Sequence, residues 1–428
     1  MFQAVAMKIF FRACFLSIVI GCFLSGCARH EADLNIVEIT YAHPSSASID
    51  PIIGHALDDF NKKHLNIHVR DLPIAGDYYS KLMVMIAGNT APDVMWMGQS
   101  FGEFAQRGAF LDISHEMQPE VSSQKYFSKI IDWYRFDKKL YGFPYGIDCV
   151  LFFYNKGIFR KTGVPFPSNS WDLNQFLQTA QRLQKSNLAH TTPGFYAFGG
   201  QGIFPGTFDA HILSNDLSHS VINSNQYVQA MQFNADLINR YHVSPSSAAG
   251  ISDKNQAFQL GNLAMMTAAT WDIPIMQRDA TKIDWDVVLP PRGVKRAIWG
   301  SSSGICVFSR TPHSQQSVAL LKYLTSPKLQ LRICHDSGCI PTDRTTAKQW
   351  ADGITTPQHI QNFLKAIPYL EPAPRSVALS EITSKMSRAS EKVMMGRATP
   401  RVALDEANAQ INQVIERQNR LLGRDVER

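Results

Sequence analysis

Two hydrophobic periods alternate in the first part of the chain. Residues 35–41 and 65–72 alternate apolar and polar side chains, which is typical of half-buried strands. Between them a wide apolar face recurs at helical spacing, formed by Ile49, Ile52, Ile53, Ala56, Leu57 and Phe60. A second helix is predicted over 78–87 and a short apolar strand over 94–97. This succession predicts a right-handed βαβ unit with parallel strands.

The stretch 140–156 changes in composition from turn-prone residues to apolar ones. It begins with turn-prone Gly and Pro residues and continues into an uninterrupted apolar run over 149–154. Such a run is typical of a buried strand, and Tyr145 and Asp148 precede it. We therefore predict a turn followed by a strand that crosses from one lobe to another, with a ligand beside it.

Two later passages predict further crossings between lobes. The Ser/Gly-rich run 299–304 is expected to form a loop before a strand over 305–309, and Gly and Pro interrupt the chain again at 338–341. Between the first and second crossings, an apolar strand over 263–267 ends shortly before Trp271. The first stretch and these two passages together predict a hinge of three segments.

Capping residues mark the start of two predicted helices. Ser170 is expected to cap a helix whose first turn contains Asp172. Thr399 is expected to cap the final helix, because Pro400 suits a first helical turn.

Length and composition are those of a globular protein with more than one core. At 428 residues the chain is long enough for two lobes. Its 45% apolar and 18% charged residues exclude a disordered or fibrous chain. Two of the 42 Lys and Arg residues, Lys8 and Arg12, lie in the first 26 residues, which contain no acid. This leaves 40 basic against 36 acidic residues and no block of like charge. We therefore expect no nucleic-acid partner.

The N-terminal segment has the features of an export signal. Lys8 and Arg12 supply a positive end, and a short apolar stretch follows over 14–24. A stable transmembrane anchor is disfavoured, because about 20 apolar residues are needed to span a bilayer.

The Leu-Ser-Gly-Cys sequence at 24–27 resembles the lipobox of bacterial lipoproteins. This resemblance implies a signal peptide over 1–26, lipidation of Cys27 and a lipid-attachment linker over 27–34. The protein is then expected to be extracytoplasmic and held at a membrane, in the periplasm or on the outer face of the cell membrane.

Four cysteines lie beyond the N-terminal segment. Cys334 and Cys339 are close in sequence, and a small-loop disulfide is one interpretation for an exported protein. A metal site is the alternative, although His335 alone offers no recognisable zinc spacing. Cys149 and Cys306 lie in apolar strands and are expected to be buried thiols.

Catalytic motifs receive little support. The Gly-Ser-Ser-Ser-Gly run at 300–304 matches the G-x-S-x-G pattern of a hydrolase, but that motif needs a strand before the serine and a helix after it. Here a strand is predicted to follow. A dinucleotide motif at 200–205 fails because Pro205 replaces its last glycine. We expect no catalytic residue, metal or cofactor, with a secreted lipoprotein glycosidase and a structural lipoprotein without ligand as the alternatives.

Short motifs recur in a defined order over nearly the whole chain after residue 27. They are FNKK at 60–63, YSKL at 79–82, APDV at 91–94, GAFLDI at 108–113, YGFP at 141–144, LFFYNK at 151–156, SWD at 170–172, GNLAM at 261–265 and GCIP at 338–341. In this order they resemble the extracellular solute-binding proteins of bacterial ABC importers, in the sugar-binding group that includes maltose and multiple-sugar binders.

The resemblance implies a fold and a function. The fold is α/β, a two-lobed periplasmic-binding-protein-like architecture with a three-segment hinge and a ligand cleft between the lobes. Lobe 1 is expected over 35–144 and 298–343, and lobe 2 over 145–297 and 344–428. Such a monomer binds a sugar, hands it to membrane permease subunits driven by a separate ATPase, and catalyses nothing. Ligand contact with both lobes favours closure.

Candidate ligand contacts are aromatic platforms and hydrogen-bonding side chains near the predicted crossings, because sugars present apolar faces and a ring of hydroxyls. They are Trp271, Asp272, Tyr145, Asp148, Trp299, Ser301, Ser302, Tyr41, His43, Trp96, Gln99, Gln201 and Arg375.

The candidates differ in the roles that we expect of them. The resemblance implies a stacking role for Trp271, with packing between the lobes as the alternative. Asp148 either accepts hydrogen bonds from ligand hydroxyls or caps a turn. No tight cluster of Arg and Lys is present, which favours a neutral carbohydrate, and Arg375 is the residue that can change this interpretation. A non-sugar solute such as a glycerophosphate ester is the alternative ligand.

Overall fold

The computed structural model of the chain describes residues 36–188, 194–246, 249, 251, 253–280 and 282–421. The predicted signal peptide, Cys27 and the linker lie outside the described residues. Within the described ranges, none of the helices combines the length and the apolar character that a membrane crossing requires.

Strands and helices alternate along the described chain. The strands are β1 (Val37–Pro44), β2 (Ile67–Ile74), β3 (Val94–Met97), β4 (Arg135–Phe136), β5 (Lys139–Leu140), β6 (Gly142–Asn155), β7 (Tyr196–Gly199), β8 (Leu263–Ala269), β9 (Trp285–Val288), β10 (Ile298–Val307), β11 (Ile340–Pro341) and β12 (Leu370–Glu371). The helices of the first half are α1 (Asp50–Lys63), α2 (Tyr78–Ala87), α3 (Phe101–Ala105), α4 (Gln118–Ser122), α5 (Ser128–Asp132), α6 (Lys156–Thr162) and α7 (Leu173–Leu188). Those of the second half are α8 (Asn225–Asn239), α9 (Lys254–Gln259), α10 (Asp272–Asp279), α11 (Ser314–Leu324), α12 (Pro327–Ser337), α13 (Arg344–Asp352), α14 (Asn362–Ala366), α15 (Leu379–Met394) and α16 (Pro400–Leu421).

The first part of the chain has the predicted alternation of strands and helices. Strand β1 pairs in parallel with both β2 and β3. Helix α1 follows β1 in the chain, and α2 follows β2. Helix α1 buries the apolar face that its spacing predicts, from Ile52 to Phe60. The βαβ prediction is therefore confirmed, including the parallel direction of its strands.

Strand β6 joins two parts of one sheet, whose strand order is β2-β1-β3-β10-β6-β8-β7. From Gly142 to Cys149 it pairs antiparallel with β10, and β11 pairs with it at Gly146 and Ile147. From Val150 onward its antiparallel partners are β8 and β9. The partners of β6 therefore change between Cys149 and Val150.

The turn predicted at the start of this stretch is wrong. Residues 142–155 form one strand, and 142–147 are all buried. The glycines here serve close packing instead of a turn. A Cβ at Gly142 would lie 2.5 Å from Cys306 Sγ, and one at Gly146 would lie 2.6 Å from Cys339 Sγ. Glycine inside a strand often marks such an approach.

The loop predicted at 299–304 is also wrong. These residues are part of β10, which begins at Ile298, and Ser301 lies opposite Asp148 in the register with β6. A nucleophile elbow places its serine at a sharp turn between a strand and a helix. Because the Gly-Ser-Ser-Ser-Gly run lies inside a strand, it lacks that geometry.

The buried apolar side chains of the described residues form three hydrophobic clusters. One extends from β1 and β3 across β6 to the helices near α12 and α13. A second lies around α7, β7 and β8, where Phe152, Trp171, Phe176 and Phe198 pack their rings together. In the third, α15 and α16 pack against α8. The C-terminal helices therefore cover the part of the molecule that contains α8.

One capping prediction is confirmed and one is wrong. The backbone N–H of Val402 donates to Thr399 Oγ1 at the start of α16. At α7 the capping residue is Asp172 instead of Ser170, since Asp172 Oδ1 accepts from the Gln175 N–H at 2.8 Å while Gln175 Oε1 accepts from the Asp172 N–H at 3.0 Å. This reciprocal pair is a capping box, and it satisfies two backbone donors at once.

Candidate functional site

A cavity of about 470 Å³ lies beside the middle of β6. We call it the hinge cavity. The end of β1, strands β3 and β10, and helices α10 and α12 contribute to its wall. Six of the predicted ligand contacts line it: Tyr41, His43, Trp96, Tyr145, Asp148 and Trp271. The structure thus brings together residues that are far apart in sequence but close to strand ends or to the hinge strand.

Two further cavities adjoin the hinge cavity. A large cavity of about 900 Å³ is lined by the Gly-rich loop 200–204, Gln99, Trp299 and one face of α15. A connecting pocket of about 400 Å³ shares Trp271 with the hinge cavity and Gln201 with the large cavity. The connecting pocket therefore lies between the other two cavities.

Trp271 lies just before α10 and keeps 42% of its surface exposed. Its ring meets the Trp299 ring edge to face, with centroids 6.0 Å apart and planes at 85°. A tryptophan that only packs lobes together is expected to be buried, whereas this one presents indole surface to two cavities. The arrangement suits stacking against the apolar face of a ring.

Asp148 is the carboxylate on β6 that faces the hinge cavity. Thr270 Oγ1 donates to its Oδ1 at 3.1 Å, and Ser303 Oγ donates to its Oδ2 at 3.4 Å. No Lys, Arg or His of the described chain forms an ion pair with it. Burial raises the pKa of Asp148 to about 6 despite these two hydrogen bonds. Asp148 can therefore accept a further hydrogen bond from a ligand hydroxyl.

Trp96 and Tyr145 are joined by a hydrogen bond across the wall of the hinge cavity. Trp96 Nε1–H donates to Tyr145 Oη at 3.1 Å. Burial raises the pKa of Tyr145 well above its usual range, so the phenol stays neutral and keeps its proton to donate. The bond fixes the indole edge of Trp96, whose ring also packs against Tyr78 and Tyr79.

Tyr41 and His43 lie at the end of β1 and stack with ring centroids 5.4 Å apart. The His43 ring nitrogens are already engaged, with Nε2 3.0 Å from Asp71 Oδ1 and Nδ1 3.1 Å from the Pro44 carbonyl oxygen. His43 therefore supports the cavity wall through its ring, while its polar atoms hold the end of β1.

Asp272 turns towards the protein. Its Oδ2 accepts from the Ala269 N–H at 2.9 Å and from Lys254 Nζ at 2.8 Å, and its Oδ1 accepts from Asn255 Nδ2 at 2.8 Å. These bonds fix α10 and α9 against the end of β8. Asp272 lines the connecting pocket but has its carboxylate oxygens satisfied internally.

Ser302 and Arg375 are also bound within the protein. Ser302 Oγ donates to the Gly146 carbonyl at 2.8 Å and so ties β10 to β6. Arg375 Nη1 donates to the Arg135 carbonyl at 2.8 Å, and its other terminal nitrogen donates to the carbonyl of Asp132. The hinge cavity includes neither residue.

Gln99, Gln201 and Ser301 do not line the hinge cavity. Gln99 and Gln201 are exposed and line the large cavity. The Gln201 N–H donates to Thr267 Oγ1 at 2.7 Å, which holds the Gly-rich loop against β8. Ser301 faces a small pocket with Gln99 instead of the hinge cavity.

Comparison with known families identifies the chain. The profile described as "Bacterial extracellular solute-binding protein" matches residues 55–345, which is more than half of the chain. The chain belongs to this family.

Individual relatives of this solute-binding protein are distant but cover most of its length. The galactooligosaccharide-binding protein of Bacillus subtilis is 24% identical over 376 residues, which cover 83% of this chain and 84% of that protein. An ABC substrate-binding protein from Listeria monocytogenes in complex with cycloalternan is 22% identical with a TM-score of 0.78, over 89% of this chain and 99% of that one. The sugar-binding protein MalE from Xanthomonas citri is 19% identical with a TM-score of 0.76, over 91% and 100%. The likeness establishes the two-lobed α/β fold of solute-binding proteins.

Some residues of this solute-binding protein that line its cavities are absent from the predicted set. Ser303 and Thr270 donate to Asp148, and Tyr79 lines the large cavity. Ser303 lies two positions after Ser301, so a strand period at this point would have indicated it. Thr270 carries no such signal, because its place beside Asp148 arises from the pairing of β6 with β8.

Metal chemistry has no support in the described ranges. Within them, no group of three or more His, Cys, Asp and Glu side chains is arranged to hold a metal ion. Cys334 and Cys339 are free cysteines whose Sγ atoms lie 2.8 Å apart, and His335 pairs with Asp336 instead. The disulfide interpretation stays a prediction.

Proposed function

We propose that this protein captures a mono- or oligosaccharide outside the cytoplasm and delivers it to the permease subunits of an ABC importer, which a separate ATPase drives. The observation that carries the proposal is the exposed indole of Trp271 beside the Asp148 carboxylate in the hinge cavity. Sugar sites combine an aromatic platform for the ring face with acceptors for hydroxyls.

The relatives support a carbohydrate as the ligand class. One is named for galactooligosaccharide binding, one solved structure contains cycloalternan, and another contains maltose. The hinge and large cavities, of about 470 and 900 Å³, exceed the space that one sugar ring fills. Their size favours an oligosaccharide over a monosaccharide.

The charges around the hinge cavity support a neutral ligand. Among the described residues that line it, Arg278 is the one Lys or Arg side chain. Its guanidinium already forms two hydrogen bonds with Asp279, at 2.7 and 2.8 Å. A phosphate ester is usually recognised by free Arg or Lys donors. The arrangement therefore gives the glycerophosphate alternative little support.

Ligand capture is proposed to work by lobe closure about β6. We assign 35–144 and 298–343 to lobe 1 and 145–297 and 344–428 to lobe 2. The change of β6 partners between Cys149 and Val150 supports a boundary close to this point. A ligand that contacts Asp148 on the hinge strand and Trp271 beside it favours the closed state, because it binds that state more tightly.

The N-terminal prediction completes the proposal. A lipid on Cys27 is proposed to hold the protein, as a monomer, at the outer side of a membrane. The linker over 27–34 then connects this lipid to the lobes.

A thermal-shift screen tests the ligand class. Purified protein is melted with mono-, di- and oligosaccharides, polyols and glycerophosphate esters. A true ligand raises the melting temperature by an amount that grows with the logarithm of its concentration. We expect a saccharide to do so and to be recovered chemically intact. A shift with phosphate esters alone, or hydrolysis of a glycoside, contradicts the proposal.

Two variants test the platform. Trp271→Ala is expected to weaken saccharide binding by about 10- to 100-fold, since burying an aromatic ring face contributes about 1.5–3 kcal/mol. Phe166→Ala is the control, because Phe166 is similarly exposed at 45% and none of the three cavities includes it. Equal saccharide affinity of the two variants contradicts the stacking role and means that Trp271 serves only in packing.

A further inference from the structure

Cys334 and Cys339 lie on two sides of a fixed turn. Helix α12 ends at Ser337, and Gly338 reverses the chain with a φ of +81°. A Cβ at Gly338 would lie 2.3 Å from the Thr270 carbonyl oxygen, so the turn is packed against the chain after β8. The turn places the Cys339 side chain back over the last turn of α12, where Cys334 lies.

The two sulfur atoms are in contact. Cys334 Sγ and Cys339 Sγ lie 2.8 Å apart, while a disulfide bond measures about 2.05 Å. The sulfurs therefore need to approach by about 0.8 Å for the bond to form. By contrast, Cys149 and Cys306 are buried thiols in separate strands, and no sulfur partner for either is present in the described structure.

Both thiols are shielded from solvent. Cys334 and Cys339 are buried, and burial together with the neighbouring sulfur raises the pKa of Cys334 well above its usual range. A thiol with a raised pKa forms little thiolate and reacts slowly in the folded protein. Oxidation is therefore expected before folding is complete, and the same burial then protects the bond from reductants.

We propose that Cys334 and Cys339 form a disulfide in the mature protein, and that this bond ties α12 to the hinge strand pair β11 and β6. Proteins of an extracellular family work where disulfides persist. The inference is independent of the ligand class.

The chemistry balances with a disulfide donor of the thiol-oxidising class. One cysteine thiolate attacks the donor disulfide and releases a thiol, and the second thiolate then attacks the mixed disulfide and releases the second thiol. Two electrons and two protons pass to the donor. The cysteines are oxidised, and the donor is reduced to two thiols.

The bond has a structural consequence because of its position. Cys339 Sγ packs where Gly146 leaves room on β6, and Cys334 Sγ lies 3.6 Å from the Tyr145 carbonyl oxygen. Cys339 also lines the hinge cavity. The disulfide therefore lies at the cavity wall, next to the start of β11, where Ile340 pairs with Ile147 of β6.

Trypsin offers a direct test because both cysteines fall in one peptide, 333–344. The full chain is reduced, denatured and refolded with a mixture of reduced and oxidised glutathione. It is then unfolded in excess alkylating reagent without reductant and digested. We expect the peptide to be lighter than its dithiol form by two hydrogen masses and to carry no alkyl group until it is reduced.

Two other peptides supply the internal control. Peptide 140–156 contains Cys149 and peptide 297–310 contains Cys306, and both are expected to be alkylated in the same unreduced sample. Alkylation of Cys334 and Cys339 in that sample, or their linkage to glutathione or to another cysteine, overturns the proposal.

Stability gives a second readout. The chain refolded in reductant is expected to melt about 2 to 4 °C lower than the chain refolded in the glutathione mixture, because the bond restricts the unfolded chain over a short loop. The double variant Cys334→Ser with Cys339→Ser is expected to melt at one temperature with and without reductant. An equal effect of reductant on the variant and on the parent chain contradicts the assignment of the bond to this pair.

Discussion

Replacing Asp148 by Asn is expected to stabilise the protein without ligand and to weaken its binding of saccharide. The basis is the position of Asp148, a half-buried residue on β6 that lines the hinge cavity. Burial raises its pKa from an ordinary value of 3.8 to about 6. Asparagine has nearly the same shape, carries no charge, and keeps an oxygen that can accept from Thr270 Oγ1.

The magnitude follows from the pKa. A carboxyl that is more acidic in the unfolded chain than in the folded one favours unfolding once it is ionised. The effect is absent below both pKa values, grows as the pH rises from about 4 to about 6, and is complete above that. Each tenfold change in acidity corresponds to about 1.4 kcal/mol. The change to about 6 therefore costs the folded state about 3 kcal/mol at neutral pH, and about 1 kcal/mol at a pH of about 4.5.

Urea unfolding at these two pH values measures the effect. Asp148→Asn is expected to raise the free energy of unfolding by about 3 kcal/mol near pH 7.5 and by about 1 kcal/mol near pH 4.5. The matched control is Asp336→Asn. Asp336 lines the same cavity, but its side chain is exposed and accepts from His335 Nδ1. This control is expected to change stability by less than about 1 kcal/mol at either pH.

The result that refutes this reasoning is a gain from Asp148→Asn that is equal at both pH values, or no gain at all. Either outcome means that the carboxylate is adequately solvated in the folded state. Binding supplies the second part of the test. If Asp148 accepts from a ligand hydroxyl, the variant is expected to lose about 10- to 100-fold in affinity, because a hydrogen bond to a charged group contributes about 1.5–3 kcal/mol.

Two more predictions concern the large cavity and the N-terminus. Asn234 Oδ1 accepts from the Ile203 N–H at 2.7 Å, and its Nδ2 donates to the Ile203 carbonyl at 2.9 Å. Asn234→Ala is therefore expected to destabilise the protein by about 1–3 kcal/mol and to speed hydrogen exchange in loop 200–204. Exchange in this loop at the rate of the parent chain contradicts the prediction. Cys27→Ala is expected to move the protein from the membrane fraction to the soluble extracytoplasmic fraction, and retention in the membrane fraction contradicts lipid anchoring through Cys27.

Local patterns predicted the elements well where one face of a segment is buried. The helix at Tyr78–Ala87 and the strand at Val94–Met97 have the predicted bounds. Thr399 caps the final helix as expected. In these segments periodicity and caps act within a few residues of each other, so the sequence contains the whole signal.

The errors share one cause. The Gly- and Ser-rich stretches at 142–146 and 299–304 have the composition of turns, yet they pair with each other as strands. A glycine has little preference for either state by itself, and the approach of Tyr134 and Cys306 to the backbone of these strands decides in favour of the extended state. That approach depends on the packing of distant parts of the chain.

Site residues show the same division. The sequence nominates Trp271, Tyr145 and Asp148 because aromatic and acidic residues follow or precede apolar strands. It also nominates Asp272, Ser302 and Arg375, which the structure uses for internal hydrogen bonds. Residue type and strand position do not reveal which way a polar side chain turns, because that depends on whether an internal partner lies within reach.

By itself, the sequence determined the class of fold, the alternation of strands and helices, and the kind of residues that line the cavities. Only the tertiary structure decided that β6 and β10 are continuous strands and that the half-buried Asp148 accepts hydrogen bonds from Thr270 and Ser303. It also decided that Cys334 and Cys339 meet across Gly338. The physical reason is the distance along the sequence over which each interaction acts. Periodicity and capping act between neighbours in the chain, whereas burial, pKa and side-chain partners are set by residues that only the folded sheet brings together.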